Sequence, residues 1–252
     1  MIFTITLFTI LDNVTSSIFE YISNYSNYKK NLDLLNEFVN RDNKIYNSTN
    51  KVEINKIESI KLENINFSYE SNKQIFKKMD ICFKNGTLIT GKNGIGKTTL
   101  LKIISLDFKL KNDSKLFFND LSIDEINTKK LEEKIYYLPS ECLAMEIDYS
   151  GILHLNPSLR KEICDFLKIT KISSKNSENL SSGEKQITNL LSLLKVRNSL
   201  ILLDETFSNV SKDYIKFFME KFYNKIASNN FVICVSHSEF IKKYFSNKVE
   251  IK

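Results

Sequence analysis

A chain of 252 residues, 42% of them apolar, can build one large domain or one domain with an appendage. Its 36 basic and 30 acidic residues leave a net charge of +6 with the lysines scattered, so no basic block calls for a nucleic-acid partner. Cys82, Cys142, Cys164 and Cys234 show no C-x-x-C spacing, which argues against a zinc or disulfide frame; Cys82 and Cys234 sit in apolar runs and read as small, reduced core residues.

Residues 1–11 are apolar but fall well short of the roughly 20 residues that a spanning helix needs. No small-residue cleavage site follows, which argues against a secretory leader. Leu7, Leu11, Val14, Ile18, Tyr21, Tyr25, Tyr28, Leu32, Leu35 and Val39 are spaced by steps of four and three. That spacing predicts one long helix over residues 1–41, roughly 50 Å from Leu7 to Val39, with an apolar seam that wants a partner helix. Two readings are open, a coiled-coil arm and the cytosolic end of a membrane helix. Residues 42–58 are polar and Asn-rich and read as a linker, leaving residues 59–252 as the main domain.

Residues 60–69 alternate apolar and polar, a strand pattern, and 78–83 form a second strand ending at the turn pair Asn85-Gly86. Residues 88–90 are a short apolar strand. It runs into Gly91-Lys92-Asn93-Gly94-Ile95-Gly96-Lys97-Thr98-Thr99, which fits the phosphate-loop pattern G-x-x-x-x-G-K-[ST]. The glycines let the backbone approach a phosphate. The helix that follows offers unpaired N–H groups and a positive dipole end to an anion. Lys97 adds a charge near the β- and γ-phosphates, and the Thr98 hydroxyl is a ligand for Mg²⁺.

Beyond the helix come a strand at 114–118, a turn at Asn119-Asp120, a polar helix around 129–133, and a buried-type strand at 134–138 stopped by Pro139. Residues 140–179 are helical and irregular, clearest at 159–167. Continuous apolar strands at 199–203 and 231–235 flank a helix at 214–226, and the alternation of strands with helices predicts an α/β parallel-sheet core. The first of these strands emerges into Asp204-Glu205, where open α/β sheets bind ligands. Asp204 would hold Mg²⁺ directly or through water, and Glu205 would orient the attacking water. Ser181 with Glu184 three residues on is a capping box, so Leu180-Ser181-Ser182-Gly183-Glu184 opens a helix. Structurally that is a cap; functionally it is a second anion site.

These motifs in this order make residues 60–252 resemble the ATP-binding domain of ABC (ATP-binding cassette) transporters. The resemblance implies a P-loop NTPase core with a mixed, mostly parallel sheet. It adds an antiparallel β subdomain and a short helical subdomain at about 140–182, all preceded by the long N-terminal helix. It likens that helix to the end of the last membrane helix of exporters that fuse membrane and ATPase parts. Carried over by motif, Tyr69 would stack on adenine, Ser140 would stand at the metal-sensing Q-loop, and His237 would contact the γ-phosphate. Lys97 and Thr98 would act at the bound ATP and Mg²⁺, while Ser181 and Gly183 would serve the ATP of a second cassette closing head to tail. His154 has no such context.

The chain departs from the family pattern at four places. Ser140 replaces the Q-loop glutamine and is followed by Glu141, Ser211 replaces the D-loop aspartate, and Ser182 and Glu184 replace a glycine and a glutamine of the signature. The stretch 140–180 is also short for an exporter. The resemblance implies an ATP-hydrolysing subunit on the cytoplasmic face of a membrane, partnered by a second cassette and a membrane-spanning domain, with no nucleic acid. The alternative that the departures raise is a degenerate cassette that binds ATP and acts as a structural partner.

Overall fold

The computed structural model describes residues 51–69, 74–110, 113–140, 157–166 and 181–251. The chain divides into two units, residues 1–50 and 51–252. The helix expected over residues 1–41 lies outside the described residues. Among the described residues no helix is long and apolar enough to cross a membrane.

The second unit contains two sheets. β1 (Ile60–Ser68), β2 (Gln74–Phe83), β4 (Lys115–Phe118) and β5 (Leu121–Ser122) form an antiparallel sheet in the order β2-β1-β4-β5. β3 (Thr87–Gly91), β6 (Ile135–Leu138), β7 (Leu200–Asp204), β8 (Phe231–Val235) and β9 (Asn247–Ile251) form a parallel sheet in the order β6-β7-β8-β3-β9. The antiparallel sheet is the β subdomain that the resemblance implied, and the core sheet, implied as mixed and mostly parallel, is parallel throughout its five described strands.

The continuous apolar runs of β7 and β8 follow from burial on both faces. Ile201, Leu203, Val232 and Cys234 point into one core with Leu88 and the helices α4 (Ser182–Ser192) and α5 (Lys212–Phe218). Leu200, Leu202, Phe231, Ile233 and Val235 point into a second core on the other face. There α1 (Lys97–Ile104) buries Leu100, Leu101, Ile103 and Ile104 among Leu62, Ile65, Phe83 and Phe118 of the antiparallel sheet. α5 continues through a π-helical turn, Met219–Tyr223, into α6 (Asn224–Asn229). α2 (Thr128–Glu132), α3 (Pro157–Phe166) and α7 (Glu239–Lys242) complete the described α-helices.

Three expectations about the strands shift. β2 starts at Gln74 because Phe76 and Gln74 continue the pairing with Phe67 and Ser68 past irregularities in the ladder. Cys82 is exposed rather than core: β2 alternates, so Phe83 faces inward and Cys82 sits opposite Lys61 on the outer face, while Cys234 is buried as read. β6 is only partly buried, because it is the edge strand and Tyr136 faces outward. The stretch read as linker packs onto the domain over residues 51–58. Ile54 and Ile57 join the second core, and Lys134 Nζ donates to Ile54 O at 2.6 Å. At the turn read from Asn119-Asp120, both residues take positive φ, 52° and 64°, the geometry of a tight hairpin connection.

Candidate nucleotide site

Parallel strands end at one edge of their sheet, so the sheet order gathers the carboxyl ends of β6, β7, β8 and β3. Glu205 N donates to Val235 O at 3.0 Å, and Ser236 N donates to Ile89 O at 3.4 Å, which ties the exits of β7, β8 and β3 together. The phosphate loop, the Asp204-Glu205 pair and the Ser236-His237 segment therefore share one edge.

The loop needs its glycines for space as well as conformation. At Gly91, φ is 149° and a Cβ would lie 2.6 Å from the Ile251 carbonyl oxygen of β9. At Gly96, φ is 106° and a Cβ would lie 2.5 Å from Ile75 Cγ2 and 2.8 Å from Phe76 Cζ of β2. Gly96 also N-caps α1 with no side-chain hydrogen bond, so the first N–H groups of the helix have no capping side chain. Lys97 is buried, and its ammonium donates to Gly91 O at 3.2 Å and Lys92 O at 3.0 Å, curling the loop around it. Asn93, Gly94 and Thr98 are exposed, Ile95 packs against the second core and Thr99 is buried.

Asp204 is buried at the end of β7. Its Oδ2 accepts a hydrogen bond from Tyr137 Oη at 2.6 Å, and its Oδ1 has no hydrogen-bond partner. Burial pushes the Tyr137 hydroxyl well above its ordinary range, and the bond to Asp204 adds to the shift, so it is a firm donor. Glu205 takes a positive φ of 52°. His237 Nε2 comes to 3.1 Å from Glu205 Oε1, an ion-pair distance, although that oxygen accepts no hydrogen bond. Burial raises the Glu205 pKa above the ordinary glutamate value, against the opposing pull of His237 and Lys97. A buried carboxylate oxygen without a partner suits a cation. Among the described residues no group of three His, Cys, Asp or Glu side chains is arranged to hold a metal ion by itself. One carboxylate plus a hydroxyl, completed by substrate phosphates and water, is how Mg²⁺ is commonly held. Asp204 and Thr98 fit that role.

Tyr69 is exposed at 42%, and its hydroxyl is 2.9 Å from Thr99 Oγ1. Its ring meets Phe67 and Phe108 nearly at right angles, with centroids 5.2 and 5.7 Å away. These three aromatics fix the end of β1 against the phosphate-loop helix.

Ser181 caps α4. It accepts from Glu184 N at 3.3 Å, while the Glu184 carboxylate accepts from both the backbone N–H and the hydroxyl of Ser181 at 2.8 Å. Tyr214 Oη donates to the other Glu184 oxygen at 2.9 Å. A Cβ on Gly183 would lie 2.9 Å from Asn209 O, so the start of α4 presses on the loop after Glu205. Ser211 N-caps α5, accepting from Tyr214 N at 3.4 Å. No described hydrogen bond joins Ser181 or Gly183 to the phosphate loop, or Ser140 to Asp204.

The sequence reading missed Tyr137, Phe108 and Gln186. Gln186 Nε2 donates to Pro139 O at 3.1 Å, joining the helix after Ser181 to the end of β6. A signal for Tyr137 was present in the alternation of Tyr136-Tyr137, which sends one ring outward and the other toward β7.

Fold and loop define a phosphate-loop nucleotide-binding domain. The sequence model of the ABC transporter family matches residues 76–208, just over half of the chain. An ABC transporter ATP-binding protein of Mycoplasma genitalium is 28% identical over 201 residues, covering 77% of this chain and 29% of that protein. The microcin-J25 export ATP-binding/permease protein of Escherichia coli is 29% identical over 180 residues, 62% of this chain and 30% of that one. A bacterial Atm1-family ABC exporter with ATP bound shares the fold at a TM-score of 0.62 and 16% identity, over 81% of this chain and 39% of that chain. The chain belongs to the ABC transporter family, whose ATP-binding domains bind ATP. It spans about three-tenths of the length of these curated relatives.

Proposed function

We propose that residues 59–252 form a cassette that binds and hydrolyses Mg·ATP and powers export through a membrane-spanning domain, from the cytoplasmic face of the membrane. The observation that carries this reading is the meeting, at one sheet edge, of the phosphate loop, the partnerless Asp204 Oδ1 and the Glu205–His237 pair at 3.1 Å. The export role of the Escherichia coli relative supports the transport part.

Gly91, Asn93, Gly94, Ile95, Gly96, Thr98 and Thr99 line the loop that wraps the phosphates, with the uncapped N–H groups of α1 directed at negative charge. Lys97 exchanges its two carbonyl partners for phosphate oxygens. Thr98 and Asp204 would hold Mg²⁺, with Ser140 reaching it through water, and the bound cation would neutralise phosphate charge. Glu205 orients the attacking water and accepts its proton, a task that its raised pKa favours, while His237 holds Glu205 and the γ-phosphate in register. Tyr69 gives the adenine a flat neighbour. Ser181 and Gly183 have their own contacts at the start of α4 and no described hydrogen bond to the loop, and they serve the ATP of a second cassette closing head to tail.

Phosphate release from Mg·ATP by the full chain tests the reading. Glu205→Gln is expected to lower turnover at least about 100-fold while nucleotide still binds. Equal turnover would remove the assignment.

A further inference from the structure

The nucleotide site leaves one contact without a role. A carboxylate at a strand end can turn about its last bond and present either oxygen. At Asp204 the choice is made: Oδ2 is engaged by Tyr137 Oη at 2.6 Å, and Oδ1 is left buried and partnerless. Tyr137 is itself held in place. In the β6–β7 register Tyr137 lies beside Leu202 and Leu138 beside Leu203. Leu138 O accepts from Thr206 Oγ1 at 3.0 Å, and Pro139 O accepts from Gln186 Nε2 at 3.1 Å. Three successive residues at the exit of the edge strand are thus pinned, two to the β7 segment and one to α4. Ser140, which stands where the family pattern has its glutamine, makes no described hydrogen bond to Asp204.

We propose that Tyr137 is a positioning residue for the metal, fixing Asp204 so that Oδ1 is the oxygen presented to Mg²⁺. The proposal rests on the nucleotide reading above. Hydrogen-bond partners of metal ligands commonly carry about tenfold to 100-fold in metal affinity, so loss of this hydroxyl is expected to act on the cation and not on the nucleotide directly.

The test is ATP affinity of the full chain, measured by titration in Mg²⁺ and again in EDTA, for wild type, Tyr137→Phe and Thr206→Val. Thr206→Val removes the neighbouring tie between the same two segments without touching Asp204. Tyr137→Phe is expected to bind ATP within about twofold of wild type in EDTA and to lose about tenfold of the tightening that Mg²⁺ confers. Thr206→Val is expected to lower the unfolding temperature and keep the Mg²⁺ tightening. Unchanged tightening in Tyr137→Phe overturns the proposal, as does an equal loss in Mg²⁺ and EDTA, or the same loss of tightening in Thr206→Val. A wild-type chain whose ATP affinity ignores Mg²⁺ overturns the nucleotide reading and this proposal together.

Discussion

His237 Nε2 stands 3.1 Å from Glu205 Oε1, and the two residues leave the ends of neighbouring parallel strands, β8 and β7. The pairing is set by backbone as well as side chain, since Glu205 N donates to Val235 O two residues before His237. If the two act as one unit, their losses do not add. His237→Ala and Glu205→Gln are each expected to lower turnover at least about 100-fold, and the double variant little further. Steady-state phosphate release checks this; additive losses would separate the residues.

Glu205 also makes a pH-dependent stability prediction. Burial raises its pKa in the folded state above the ordinary value of 4.5, so its ionised form is disfavoured on folding. The stability tied to its protonated form is complete below about pH 4.5 and is lost as pH rises through the folded value. Glu205→Gln removes that ionisation. Its unfolding temperature at pH 7–8 is expected to exceed wild type, with the difference closing below about pH 4.5. Thermal scans across pH measure it, and a lower midpoint for the variant at pH 7 would contradict the sign.

Glycines 96 and 183 sit where a methyl group has no room. Gly96→Ala would combine a φ of 106° with contacts of 2.5 and 2.8 Å to Ile75 and Phe76. It is expected to cost about 2–4 kcal/mol and weaken nucleotide binding. Gly183→Ala meets a backbone oxygen at 2.9 Å and is expected to cost about 1–3 kcal/mol, without direct effect on the phosphate loop. Denaturant unfolding with nucleotide titration distinguishes the two.

Much of this was legible in the residues. The phosphate loop was readable because its backbone geometry is written in glycine. The strands 199–203 and 231–235 were readable because burial on both faces leaves an unbroken apolar run. The outward face of Tyr136 was not, since an edge strand and a central one look alike until their neighbours are known. Cys82 misled for a related reason: its apolar flank hides the alternation that pairing with β1 imposes. The Tyr137–Asp204 bond spans 67 positions of sequence and depends on the β6–β7 register, which no local pattern encodes.

Tyr69 separates two contributions that its motif position merges. Tyr69→Phe loses the 2.9 Å contact with Thr99 but keeps a ring beside Phe67 and Phe108. It is expected to hold ATP within about threefold of wild type, whereas Tyr69→Ala, losing the stacking surface, is expected to weaken it about tenfold. Equal affinities for all three proteins would remove Tyr69 from the adenine site.

The central claim is that nucleotide is held where Lys97 lies under the phosphate loop. Calorimetric titration of the full chain with Mg·ATP, wild type beside Lys97→Ala, tests it most directly. One ATP per chain is predicted for wild type, with at least about tenfold weaker binding once the ammonium is gone. No heat of binding in wild type, or the same affinity in both proteins, would contradict it.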